Sequence, residues 1–76
     1  LRGIQAEVIE LQASEKSKIV GKPIKKLKLP DASLIGGILC NGSVEIATGD
    51  SIIKPNDRVM VFCKPLAIDK VTQFFK

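Results

Sequence analysis

Four lysines, Lys22, Lys25, Lys26 and Lys28, fall within residues 22–28. Ammonium groups at this density suit a phosphate-bearing anion, each acting as a compact point charge. At helical spacing Lys22, Lys25 and Lys26 share a face, with Lys28 close by. The plainer expectation for the same residues is the solvated side of an amphipathic helix. These four form the candidate anionic-ligand patch.

Little else in the chain suggests reaction chemistry. No histidine is present, so the usual general base near neutral pH is missing. Serines 14, 17, 33, 43 and 51 have no activating partner in the sequence. The carboxylates Glu7, Glu10, Glu15, Asp31, Glu45, Asp50, Asp57 and Asp69 are scattered. Asp31, Asp50 and Asp57 stand in turns, where short acidic side chains bond neighbouring amides. Gly21-Lys22 lacks the upstream glycine and the following Ser or Thr of a phosphate-binding loop. No catalytic residue is assigned, and the chain reads as a non-enzyme.

Cys40 and Cys63 are the only cysteines. Structural zinc takes four thiolate or imidazole ligands, commonly in close pairs, which two distant cysteines cannot supply. Both fall in apolar strand-like runs, where a free thiol packs as a small hydrophobe. Neither a metal nor a disulfide is expected, which fits a reducing cytoplasm.

The elements that must position these residues follow from periodicity and turn chemistry. Residues 5–12 alternate imperfectly, with Ala6, Val8 and Glu10 on one face and Ile9 and Leu11 on the other. Apolar residues on both faces imply a strand covered on both sides, by a helix and by a second subunit. Over residues 20–29, Val20, Ile24 and Leu27 recur at i, i+4 and i+7, which predicts a helix of about two turns ended by Pro30. Strands are expected at 34–40, 44–47, briefly 51–53, and 58–64. Asn41-Gly42 between apolar runs marks a two-residue hairpin turn, because both positions need positive φ. Pro55 and Asp57 mark a second turn. In the last strand Val59, Val61 and Cys63 point one way, Met60 and Phe62 the other. Gly36-Gly37, inside a strand, signals a bulge or a close approach by another group, with internal packing favoured. A closing helix starts at Pro65, with Ile68, Val71 and Phe75 as its apolar stripe and Ala67 and Phe74 beside it. The expected fold is α+β, a small β-α-β-β-β-α domain with a mainly antiparallel four-stranded sheet and two helices.

Bulk properties bound the partners. At 76 residues the chain is one small domain whose marginal core would gain from a partner subunit. It opens at Leu1 rather than Met, so it reads as part of a longer protein, with residues 1–5 as linker and the domain nearly complete. No apolar run approaches the ~18 residues of a membrane span. A net charge of +4 is compatible with anionic partners. A small basic nucleic-acid-binding β-domain is therefore the alternative. With three phenylalanines and no tyrosine or tryptophan, the chain has few stacking platforms for it, and nucleic acid is not expected as a partner.

The order Ser33-Leu34-Ile35-Gly36-Gly37-Ile38 to Asn41-Gly42, Thr48-Gly49-Asp50-Ser51-Ile52-Ile53 and Asn56-Asp57-Arg58-Val59-Met60-Val61-Phe62 resembles the TrkA-C (RCK-C) domain of potassium uptake regulatory proteins. Val20-Gly21-Lys22-Pro23-Ile24-Lys25-Lys26-Leu27 resembles that family's first helix. The resemblance implies a cytoplasmic, dimerising, ligand-sensing regulatory domain of a potassium or monovalent cation transport system, lying at the inner face of the plasma membrane. Its implied partners are a homodimer mate, a membrane-embedded cation transporter subunit reached through the full-length protein, and a small anionic ligand. The same module also occurs on other transporters and antiporters. NAD or ATP would belong to a Rossmann-like domain outside this chain, so no cofactor is assigned here. Family members often carry a basic residue where Cys40 stands, proline where Ala47 stands and glycine where Asn56 stands. Some relatives bind a cyclic dinucleotide through an Asp-x-Arg element. Here Asp31 is followed by Ala32 and Ser33, so the resemblance does not carry that ligand over.

Overall fold

A computed structural model describes residues 5–76, so most of the linker expected at residues 1–5 lies outside the described residues. Four strands, β1 (Glu7–Gln12), β2 (Ser33–Cys40), β3 (Ser43–Ile46) and β4 (Arg58–Cys63), form one antiparallel sheet in the order β1-β4-β2-β3. A single 3₁₀ turn at Pro65–Ala67 leads into the helix α1 (Ile68–Phe74). The β2–β3 hairpin turns on Asn41 and Gly42, with φ of 47° and 82°. Both values are positive, as a two-residue turn matched to strand twist requires. In the turn before β4, Asn56 sits at φ 71° and the Asp57 carboxylate accepts the Lys54 amide at 2.9 Å. Asparagine tolerates that left-handed position because its short polar side chain bonds locally.

Alternation along the strands decides the two faces of the sheet. Val59, Val61 and Cys63 of β4 are buried on the inner face, opposite Leu11, Ile9 and Glu7 of β1 and Ile38, Ile35 and Ser33 of β2. Ile19, Ile53, Ala67, Val71 and Phe75 close over this face and are fully or almost fully buried. The closing helix thus uses Val71 and Phe75 as expected, with Ile68 and Phe74 half-buried beside them.

The first helix expected over residues 20–29 is instead one 3₁₀ turn, Ile24–Lys26. The reason lies in where its amides point. Gly21 N–H donates to Ile53 O at 3.0 Å, Ile24 N–H to Ser51 O at 3.0 Å, and Lys25 N–H to Gly49 O at 2.8 Å. These three amides are bound across to residues 49–53, while the Lys26 and Leu27 amides turn back to Pro23 O and Ile24 O, which closes a single 3₁₀ turn. Pro23 has no amide to offer and holds φ near −56° with extended ψ. Val20 and Pro23 form isolated bridges to Ile53 and Ile52, which is all that remains of the brief strand expected at 51–53. Val20, Ile24 and Leu27 still turn inward against the core, so the apolar periodicity was read correctly and the backbone type was not.

Both cysteines are free thiols, Cys40 half-buried and Cys63 buried. Burial pushes the Cys63 thiol above its ordinary value of 9.0, and the Glu7 carboxylate adds to the effect. A proton held more tightly in the folded state stabilises it below pH 9, and that stabilisation fades as pH rises through the folded value. Unfolding free energy should therefore fall above about pH 9, and Cys63→Ala should flatten that part of the pH profile. At neutral pH Cys40 should react with a maleimide well before Cys63, whose labelling should track global unfolding. Denaturant titrations across pH and timed mass spectrometry check both outcomes.

Candidate functional site

Among the described residues no element covers the outer face of the sheet. Its central pairings set Val8 and Leu34 on either side of Phe62, Glu10 and Gly37 on either side of Met60, and Gln12 and Leu39 on either side of Arg58. Val44 and Ile46 of β3 extend the same face beyond Leu39 and Gly37. Leu34 is 65% exposed, Ile46 75%, Val8 58%, Val44 53% and Phe62 42%. These positions adjoin one another on three neighbouring strands and on β1, so they form one apolar patch rather than scattered residues. Contiguous exposed apolar surface of this kind marks an interaction site. The charge on this face is a pair, Glu10 beside Met60 and Arg58 beyond it, with Arg58 Nη1 3.4 Å from Glu10 Oε2.

Gly36 and Gly37 shape this patch. The ladder between β2 and β4 shifts register between Ile35 and Gly37, leaving Gly36 as the extra residue of a bulge. A Cβ on Gly36 would stand 2.5 Å from a ring carbon of Phe62, so the ring occupies the space that a side chain there would need. At Gly37 it would stand 3.1 Å from the Val44 side chain. The expected bulge and the expected internal packing are thus one arrangement, in which Gly36 leaves room for the Phe62 ring and Gly37 for Val44.

The four lysines of the candidate patch are divided by the structure. Lys22, Lys26 and Lys28 line a cleft of about 470 Å³ on the layer that covers the inner face. Lys25 leaves them. Its ammonium pairs with the Asp50 carboxylate at 2.6 Å, and its side-chain stem lies against Gly49. In its place Lys18 lines the cleft, together with Ser17, Val20, Leu27 and Phe74. Sequence reasoning missed Lys18 because it lies in the polar stretch before the first apolar repeat. The cleft closes because Ile19 N–H donates to Phe74 O at 3.0 Å, which ties this stretch to the end of α1. Among the described residues no group of three or more His, Cys, Asp and Glu is placed to hold a metal. No helix among them is long and apolar enough to cross a membrane.

Comparison with known proteins places this geometry. The family model described as the TrkA-C domain matches residues 8–76. The chain is 42% identical over all 76 residues to Trk system potassium uptake protein TrkA homolog 1 of Methanosarcina mazei, covering 17% of that protein. It is 38% identical over 73 residues to the TrkA homolog of Archaeoglobus fulgidus, which spans 96% of this chain and 17% of that protein. Against the TrkA homolog of Pyrococcus horikoshii it is 36% identical over 72 residues, 93% of this chain and 32% of that protein. The chain therefore spans less than a third of each of these relatives. A solved structure described as an RCK domain with cda superposes with a TM-score of 0.79 at 17% identity, over 91% of this chain and 97% of that one. At that identity the likeness is one of fold.

Proposed function

The chain belongs to the TrkA-C domain family, and on that premise we propose that it is a cytoplasmic, dimerising regulatory domain of a potassium transport system. The observation that carries this reading is the uncovered apolar face centred on Leu34 and Phe62. Among the described residues nothing covers this side of the sheet. A two-fold partner presents the same patch in return, so a mostly apolar surface is matched by its own copy. The potassium uptake proteins named above supply the transport context. In that context the domain works as a binding and coupling module, its partner a membrane-embedded transporter reached through the rest of a longer protein.

Such a dimer regulates by having two arrangements. A ligand shifts the balance between them only as far as it binds one arrangement more tightly than the other. Sedimentation equilibrium of the chain tests the assembly, with a concentration-dependent dimer expected and a strict monomer at high concentration overturning it. Potassium uptake by cells whose transporter depends on the full-length protein tests the role. A Leu34→Lys change in this domain should alter uptake without lowering the protein's abundance.

A further inference from the structure

We propose that the cleft lined by Lys18, Lys22, Lys26 and Lys28 binds an organic phosphate. The inference deepens the ligand-sensing part of the reading above, and it places the ligand on the side of the molecule opposite the apolar sheet face.

Three observations carry it. First, the charge in the cleft is of one sign. Four lysines line it and no acidic residue does, while Lys25, whose ammonium pairs with Asp50, is not among the lining residues. Second, Ser17 lines the cleft and is only 7% exposed, yet its Oγ is buried without a hydrogen-bond partner. It is the one such side-chain atom among the described residues. A buried hydroxyl left unpaired is costly, so an orphan on a residue that lines a cationic cleft is a group that an acceptor bound there would satisfy. Third, the volume of about 470 Å³ lies within the range of small-molecule sites, roughly 300–1,000 Å³. Val20, Leu27 and Phe74 supply an apolar wall, so the cleft has room and surface for the body of an organic anion.

The residue types favour phosphate over carboxylate. Planar carboxylates are best held by the fork of an arginine, whereas lysines surround a phosphate group as point charges. No arginine lines the cleft, and Arg58 sits on the outer sheet face. The lysines would surround the phosphate oxygens, and the apolar wall would meet the organic part. The Ser17 hydroxyl, buried in the free chain, would rotate about its Cα–Cβ bond to donate to one of those oxygens.

The test is a titration of the isotope-labelled chain with ATP, pyrophosphate and adenosine, followed by amide resonances at physiological salt. ATP is expected to shift Ser17, Lys18, Lys22, Lys26, Lys28 and Phe74 saturably, pyrophosphate the same residues more weakly, and adenosine none. Lys22→Gln and Lys26→Gln should each weaken ATP binding about tenfold, the equivalent of roughly 1.4 kcal/mol. Their melting temperatures should stay unchanged. Ser17→Ala separates a binding role from a packing role. It removes the orphan hydroxyl, so the variant should melt at or above the parent temperature while binding ATP more weakly. Shifts that never saturate, or that follow Lys54, Arg58 and Lys64 equally, would show diffuse charge attraction and overturn the site. Binding unchanged in the Lys22→Gln/Lys26→Gln double variant, or stronger binding of a single-stranded oligonucleotide than of ATP, would overturn it as well. Sedimentation of the same samples keeps the two readings apart. A dimer without ATP binding removes the cleft site alone, and a monomer that binds ATP removes the dimer alone.

Discussion

Leu34→Lys is expected to convert the proposed dimer to monomer while leaving the protomer folded. Leu34 is 65% exposed in the free chain, so a lysine there keeps its ammonium in water and costs the monomer little. In a two-fold assembly the same change enters twice, at positions next to Phe62 and close to the symmetry-related patch. Each buried ammonium without a partner then costs several kcal/mol, enough to weaken association by at least about a hundredfold. Ile46→Lys, on edge strand β3 and 75% exposed, should act in the same direction. Lysine at a sheet edge is also a common natural guard against unwanted pairing. Sedimentation velocity over a dilution series reads the dimer, and circular dichroism at low concentration reads the fold. Retention of the dimer by both variants would place the interface elsewhere on the molecule.

Ile53→Ala is expected to lower stability by about 3 kcal/mol, within the range for removing a buried isoleucine side chain. Ile53 is fully buried, and it sits where two parts of the inner layer meet. Its backbone bridges Val20, and its carbonyl accepts the Gly21 amide at 3.0 Å. The loop that replaces a first helix is therefore fastened at this residue, and a cavity there would loosen both the core and the cleft. For a domain of this size total stability is roughly 4–11 kcal/mol, so the change removes a large share of it. The melting temperature should fall by more than about 10 °C. Denaturant unfolding with an unchanged slope would show that the loss is in stability alone. A fall of under about 1 kcal/mol would mean that the neighbouring loop collapses into the space.

The division of the lysines shows how local pattern and tertiary structure share the outcome. Residues 22–28 are basic in any conformation, so a cationic surface was legible from the sequence. Which lysines share it was not. At helical spacing Lys22, Lys25 and Lys26 fall together. In the folded chain the amides of Gly21, Ile24 and Lys25 bond across to residues 49–53, and Lys25 follows Gly49 and Asp50 instead. Lys18 enters only because the residue-19 amide is tied to Phe74.

What the sequence by itself determined were the strands and the β2–β3 turn, but not the strand order. A meander of successive hairpins would set β3 beside β4, whereas β4 pairs with β1 and β2 and leaves β3 at the edge. Strand alternation in β4, the Asn41-Gly42 turn and the glycine bulge depend on φ preferences and on a two-residue period, both of which act over a few residues. The apolar character of both sheet faces was equally plain, since Val8, Leu34 and Phe62 oppose Ile9, Ile35 and Val61 in every register that forms these strands. The tertiary structure alone decided the backbone state of residues 20–29 and the make-up of the cleft. Apolar spacing at i, i+4 and i+7 reports only which side chains turn inward. Whether the amides between them close on their own turn or on a distant strand depends on acceptors some 25 residues away in sequence, and no local propensity encodes that choice.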